Sequence, residues 1–165
     1  MDSTQLKVAV VPGSFDPLTN GHVDIIERSL EIFDSVVVGV LDNTTKKALF
    51  SPQERVALIR EHFSDRADRL SVHCFSGLLV EFVRSVDSSL VVRGLRAISD
   101  FDYEAQMSLI NRKLDSGIET VFLTAREEHN YVSSSIVKQV ALLGGDVADM
   151  VPRHVASALR GKIVG

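Results

Sequence analysis

The stretch Pro12-Gly13-Ser14-Phe15-Asp16-Pro17-Leu18-Thr19-Asn20-Gly21-His22 gathers more reactive possibility than any other part of the sequence. It follows a short β-branched run and precedes an apolar pattern of helical spacing, so it reads as a strand-to-helix turn. Gly13 lets the chain turn sharply and leaves backbone amides free to approach an anion. Gly21 and His22 open the helix, where aligned peptide dipoles attract phosphate. An imidazole at that point can donate to a phosphate oxygen as charge develops on it. A lone histidine at a helix start more often caps or packs; the surrounding string makes His22 a candidate.

Three further loops carry cations or hydroxyls. Asn43-Thr44-Thr45-Lys46-Lys47 places two lysines after a second apolar run. By themselves they read as solvated surface, but beside His22 at least one would reach phosphate. Arg93-Gly94-Leu95-Arg96, continuing to Asp100-Phe101-Asp102-Tyr103-Glu104, sets two arginines around a glycine. Guanidinium forks in that arrangement suit phosphate, although surface arginines bridged to Asp100 and Asp102 would look the same. Finally, Glu128-His129-Asn130-Tyr131-Val132-Ser133-Ser134-Ser135 ends in three serines at a helix start. One serine suffices as a cap, leaving hydroxyls for an anion.

The elements that must position these loops alternate. Short β-branched runs at Lys7–Val11, Ser35–Leu41, Leu70–Phe75, Leu90–Val92 and Glu119–Leu123 predict five strands, several apolar on both faces. Helical spacing predicts a helix over Gly21–Phe33, and another behind the capping box Ser51-Pro52-Gln53-Glu54. A third is built on Leu79, Phe82, Val83 and Val86, and a fourth is capped by Asp100 and runs to about Ser116. The fifth starts at Ser133 or Ser134 and ends at Gly144-Gly145; a last one runs from Pro152 towards Arg160. Such alternation gives an α/β doubly wound parallel sheet with right-handed crossovers. Ligands then gather beyond the carboxyl ends of the strands, where strand order reverses. The loops after strands one, two, four and five are expected to share that site. With no repeat, low-complexity tract or linker, the 165 residues read as a single domain.

Composition narrows the function. A net charge of -4 argues against nucleic acid or an anionic membrane as partner, since both need a basic face. Apolar runs are far shorter than a bilayer span, and Met1–Lys7 has no signal-peptide form, so a cytoplasmic setting is expected. Cys74, the one cysteine, cannot form an intrachain disulfide, and its apolar neighbours predict a buried thiol. The sequence has neither G-x-x-x-x-G-K-[ST] nor a G-x-G-x-x-G string after the first strand, and no H-E-x-x-H, C-x-x-C or G-x-S-x-G. P-loop hydrolases, dinucleotide oxidoreductases and the common zinc and serine hydrolases lose support.

The Thr19-Asn20-Gly21-His22 segment resembles the T-x-G-H version of the H-x-G-H signature of the nucleotidyltransferase superfamily, whose fold is Rossmann-like. In the form P-G-S-F-D-P-x-T-N-G-H, followed by R-G-L-R-x-x-x-D-F-x-Y-E and S-S-S-x-V-K, the chain is similar to phosphopantetheine adenylyltransferases over nearly its whole length. Nicotinate-nucleotide relatives usually carry histidine where Thr19 stands. The resemblance implies transfer of the adenylyl group of ATP to 4′-phosphopantetheine, giving dephospho-coenzyme A. It implies His22 as catalytic residue, and an ATP site of Ser14, Phe15, His22, Gly94, Leu95, Arg96, Glu104 and the run His129, Asn130, Tyr131, Val132, Ser133, Ser134, Ser135. For the acceptor it implies Ser14, Lys46, Leu79 and Arg93. It further implies magnesium arriving with ATP rather than in a dedicated protein site, coenzyme A as a ligand, and a homohexamer.

Overall fold

The computed structural model describes residues 6–43 and 47–164; Lys46, with Thr44 and Thr45, lies outside them. The five expected runs form β1 (Val8–Gly13), β2 (Ser35–Leu41), β3 (Leu70–Phe75), β4 (Leu90–Leu95) and β5 (Glu119–Thr124). They make one parallel sheet in the order β3-β2-β1-β4-β5. Strand order reverses between β1 and β4, which places the ligand crevice at their carboxyl ends. The helices are α1 (Asn20–Ile32), α2 (Pro52–His62), α3 (Leu79–Ser85), α4 (Ile98–Leu114), α5 (Ser134–Leu142) and α6 (Arg153–Val164). Among the described residues no helix is long and apolar enough to cross a membrane.

β1 and β2 are buried on both faces because helices cover both sides of the sheet. The larger core unites Val11, Val38, Val92 and Val72 with Ile26, Ile59, Val137 and Leu159 of the helices. The opposite face joins Val10, Val37 and Val91 to Val80, Phe82 and Val83 of α3. Gly39 is required there, since a Cβ would lie 2.5 Å from the Phe82 ring. At α2 the predicted capping box forms: Ser51 N–H donates to Glu54 Oε2 (2.7 Å), and Glu54 N–H to Ser51 Oγ (3.2 Å).

Four details differ from expectation. β4 continues past Val92, because Arg93, Gly94 and Leu95 pair in register with Phe122, Leu123 and Thr124. Arg93 therefore belongs to the strand itself, and Arg96 follows directly after its end. Asp100 does not cap α4 from outside; it sits in the first turn, and its Oδ2 accepts the N–H of Arg96 (3.2 Å) and Ala97 (3.4 Å). α6 runs beyond Arg160 to Val164. Cys74 is exposed: it shares the face of buried Leu70 and Val72 but lies near the carboxyl end of the edge strand β3, where burial stops. Desolvation and the nearby Asp42 carboxylate hold its thiol above the usual range, so it is not poised as a nucleophile.

Candidate active site

The first turn of α1 fixes His22. Thr19 is the N-cap, and its Oγ1 accepts the His22 backbone N–H (3.3 Å). In return the Thr19 backbone N–H donates to His22 Nδ1 (3.0 Å). This is a capping box with histidine in the place usually taken by Glu or Gln. It has a chemical consequence. Nδ1 accepts, so the neutral ring carries its proton on Nε2. Burial, with the charges of Arg96 and Arg93, pushes the His22 pKa down to about 4. Near neutral pH the group is thus a neutral imidazole with one defined donor. The Phe15 ring stands edge-on to it at 4.9 Å between centroids.

Around His22 opens a cleft of about 450 Å³, walled by Gly13, Ser14, Gly21, Arg93, Gly94, Arg96 and Val132–Ser135 among others. A second cleft, about 520 Å³, is lined by Lys47, Arg55, Leu79 and the apolar side chains of Phe75, Leu78, Met107, Ile110 and Leu114. The two share Pro12, Gly13, Ser14, Arg93, Tyr103, Glu104, Ser134 and Ser135. Two ligands seated in them would meet along that wall.

The shared wall is charged and tied down. Arg93 Nε and Nη2 donate to Glu104 Oε2 (2.8 Å) and Oε1 (2.6 Å), a bidentate pair, while Nη1 donates to Pro12 O (2.9 Å). Arg96 Nη1 donates to Val132 O (3.3 Å), linking the loops after β4 and β5. Of the three serines, Ser133 caps α5 by accepting the Ile136 N–H (3.2 Å), and Ser134 Oγ donates to Pro17 O (2.8 Å). Ser135 is exposed at the cleft. Gly94 also has a packing reason: a Cβ there would meet Ile25 of α1 at 3.0 Å.

Ser14, Phe15, His22, Arg93, Gly94, Arg96, Glu104, Val132 and the three serines therefore converge, and Leu79 lies in the second cleft as expected. Leu95, His129, Asn130 and Tyr131 do not line either cleft. Leu95 ends β4 with its carbonyl engaged by Ala125 N–H (2.7 Å), and His129 closes a short turn against Gly21. Its Nδ1 is buried and finds no hydrogen-bond partner among the described residues. Lys47, the neighbour of Lys46, lines the second cleft. Sequence reading overlooked Arg55, which is 3% exposed and donates to the carbonyls of Ser14 (2.7 Å), Leu41 (2.9 Å) and Phe50 (3.2 Å). Its place in α2 looked like an ordinary charged helix position, and nothing local distinguishes it. Asp16, in the loop after β1, and Lys138, the lysine of the S-S-S-x-V-K string, also line the second cleft.

Comparison with known proteins agrees with this geometry. A family model described as cytidylyltransferase-like matches residues 10–140. A phosphopantetheine adenylyltransferase from Moorella thermoacetica is 53% identical over 93% of this chain and 96% of its own length. One from Alkaliphilus metalliredigens is 49% identical, covering 95% of this chain and 99% of its own. A solved structure from Vibrio parahaemolyticus, described as a candidate nicotinate-nucleotide adenylyltransferase, superposes with a TM-score of 0.68 at 17% identity. It covers 93% of this chain and 91% of its own, and shares the fold. Identity near one half, sustained over almost the full length of these relatives, shows that the chain belongs to the phosphopantetheine adenylyltransferase family.

Proposed function

We propose that this protein transfers the adenylyl group of ATP to 4′-phosphopantetheine, releasing pyrophosphate and forming dephospho-coenzyme A. The observation that carries this is the pair of adjoining clefts that share Ser14, Arg93 and Ser134–Ser135, one built at the start of α1 and α5, the other lined by apolar side chains of Phe75, Leu79 and α4 with Lys47 at its edge. ATP occupies the first, its phosphates facing His22, Arg96 and the α5 N-terminus, with magnesium entering as part of the nucleotide substrate. The second takes the pantetheine arm along Leu78, Leu79, Met107 and Leu114, with its phosphate held at Arg93 and a lysine of the Lys46-Lys47 pair.

A phosphate monoester is largely dianionic near neutral pH, its second pKa being about 6, so the acceptor needs no general base. One of its oxygens forms a bond to the α-phosphorus of ATP as the bond to the bridging oxygen breaks and pyrophosphate departs. Catalysis is then positioning plus stabilisation of charge on the transferred group. His22 Nε2–H donates to the α-phosphate as that charge grows, and stays neutral throughout. A panel of acceptors supplied with magnesium and ATP tests the reading. Pyrophosphate release is expected with 4′-phosphopantetheine; release only with nicotinate mononucleotide or another acceptor would overturn it.

The same reading includes a cytoplasmic homohexamer that also binds coenzyme A. What supports assembly is the exposure of Phe101 and Leu109 on α4, apolar side chains that line neither cleft. Sedimentation velocity at micromolar concentration should show one species six times the subunit mass. A monomer would contradict it.

A further inference from the structure

Asp16 lines the second cleft beside Lys138 without a part in the transfer just described, and several segments converge on it. It is 4% exposed. Its Oδ1 accepts the Phe50 N–H (2.9 Å), and its Oδ2 accepts both the Leu49 N–H (3.0 Å) and Lys138 Nζ (2.9 Å). One carboxylate thus joins the loop after β1, the segment leading into α2, and α5 one turn beyond its serines. Burial works against that charge, but Lys138 and the two backbone donors outweigh it and hold the carboxyl below its usual range. Ser134 Oγ makes a second tie between α5 and the same loop, at Pro17 O.

The residue next to Asp16 is strained. Phe15 has φ 49°, a left-handed backbone that side-chain-bearing residues seldom adopt. Such strain persists only where the surroundings over-determine it. Here Arg55 grips the Ser14 carbonyl on one side and Asp16 is clamped on the other, while the Phe15 ring, 1% exposed, is sealed against His22. Asparagine at position 16 would bring an amide NH2 where only donors arrive.

We propose that Asp16, held by Lys138, is a positioning residue for adenylyl transfer: it locks the Phe15 turn, and so the His22 ring, to the α5 N-terminus and to the segment bordering the second cleft. The inference rests on the function proposed above. It is tested on the full chain with Asp16→Asn, Lys138→Gln and the double variant, after wild-type product formation has been established. Failure of the wild-type protein to form product would sink the function itself, independently of these variants. With that in place, Asp16→Asn should lower kcat at saturating substrates by roughly tenfold or more, since small misplacements of reacting groups are costly. The Michaelis constant for 4′-phosphopantetheine should rise with it.

Lys138→Gln should act in the same direction, and the double variant should be no worse than Asp16→Asn, because the lysine works through the carboxylate. Nitrogen NMR of His22 should show the Nε2–H tautomer in wild type and a mixture in Asp16→Asn. Two results overturn the proposal. One is a lowered Tm with unchanged kcat, Michaelis constants and tautomer. The other is a Lys138→Gln loss that multiplies with that of Asp16→Asn and falls on ATP alone. Should Asp16→Asn not fold, Lys138→Gln decides the matter, and unchanged kcat and acceptor Michaelis constant would refute it.

Discussion

Replacing His22 by alanine should lower turnover by roughly 10²–10³-fold, the usual consequence of removing one donor aimed at developing charge. ATP affinity should change far less, because Ser14, Arg96 and the start of α5 line the same cleft and would share ground-state binding. The ring's protonation gives the prediction a second arm. With the His22 pKa pushed from 6.5 to about 4, the folded protein keeps this imidazole neutral where the unfolded chain takes up a proton. This group therefore costs stability progressively as pH falls from 6.5 to about 4, and no further below. Above that window its contribution is constant. Thermal midpoints of wild type and His22→Asn should converge or cross as the pH is lowered through the window. Parallel midpoint curves would mean the ring titrates normally. Near-normal turnover in a stable His22→Ala protein would remove it from the mechanism.

The second large effect belongs to Arg93. Its guanidinium makes two charge-assisted bonds to Glu104, which is only 9% exposed, and lies on the wall between the clefts. Arg93→Ala should raise the Michaelis constant for 4′-phosphopantetheine by about 10–100-fold, the scale of one or two lost charge-assisted hydrogen bonds, while that for ATP rises much less. It should also lower the Tm, since an uncompensated carboxylate is left largely buried. Adding Glu104→Gln removes that charge. The double variant should regain part of the Tm while the acceptor Michaelis constant stays high. Equal losses for both substrates would show that Arg93 is not the acceptor's residue.

Much of this arrangement was legible in the sequence, and for identifiable reasons. β-branched runs buried on both faces announce strands covered by helices, and Ser51 with Glu54 announces the start of α2. The loops at the strand ends were legible because glycine, paired arginines and successive serines have few uses together except around an anion. What was not legible depends on distance along the chain. Asp16 and Lys138 stand 122 residues apart, and Arg55 reaches Ser14 across 41. No local pattern encodes those meetings. The His22 capping box was hidden differently: the motif shows a histidine three residues after a threonine, but the familiar box has a carboxylate or amide there. Cys74 shares the face of buried Leu70 and Val72 but lies near the carboxyl end of the edge strand, where burial stops, and no local pattern encodes that.

Adenylyl transfer requires that the α-phosphorus of ATP, and no other, passes to the acceptor phosphate. Two parallel reactions with 4′-phosphopantetheine, one with ATP radiolabelled at the α-phosphorus and one at the γ-phosphorus, test it directly. α-Label is expected in dephospho-coenzyme A and γ-label wholly in pyrophosphate. Label from the γ-position on the acceptor, or α-label released as ADP or AMP with none in dephospho-coenzyme A, would contradict it.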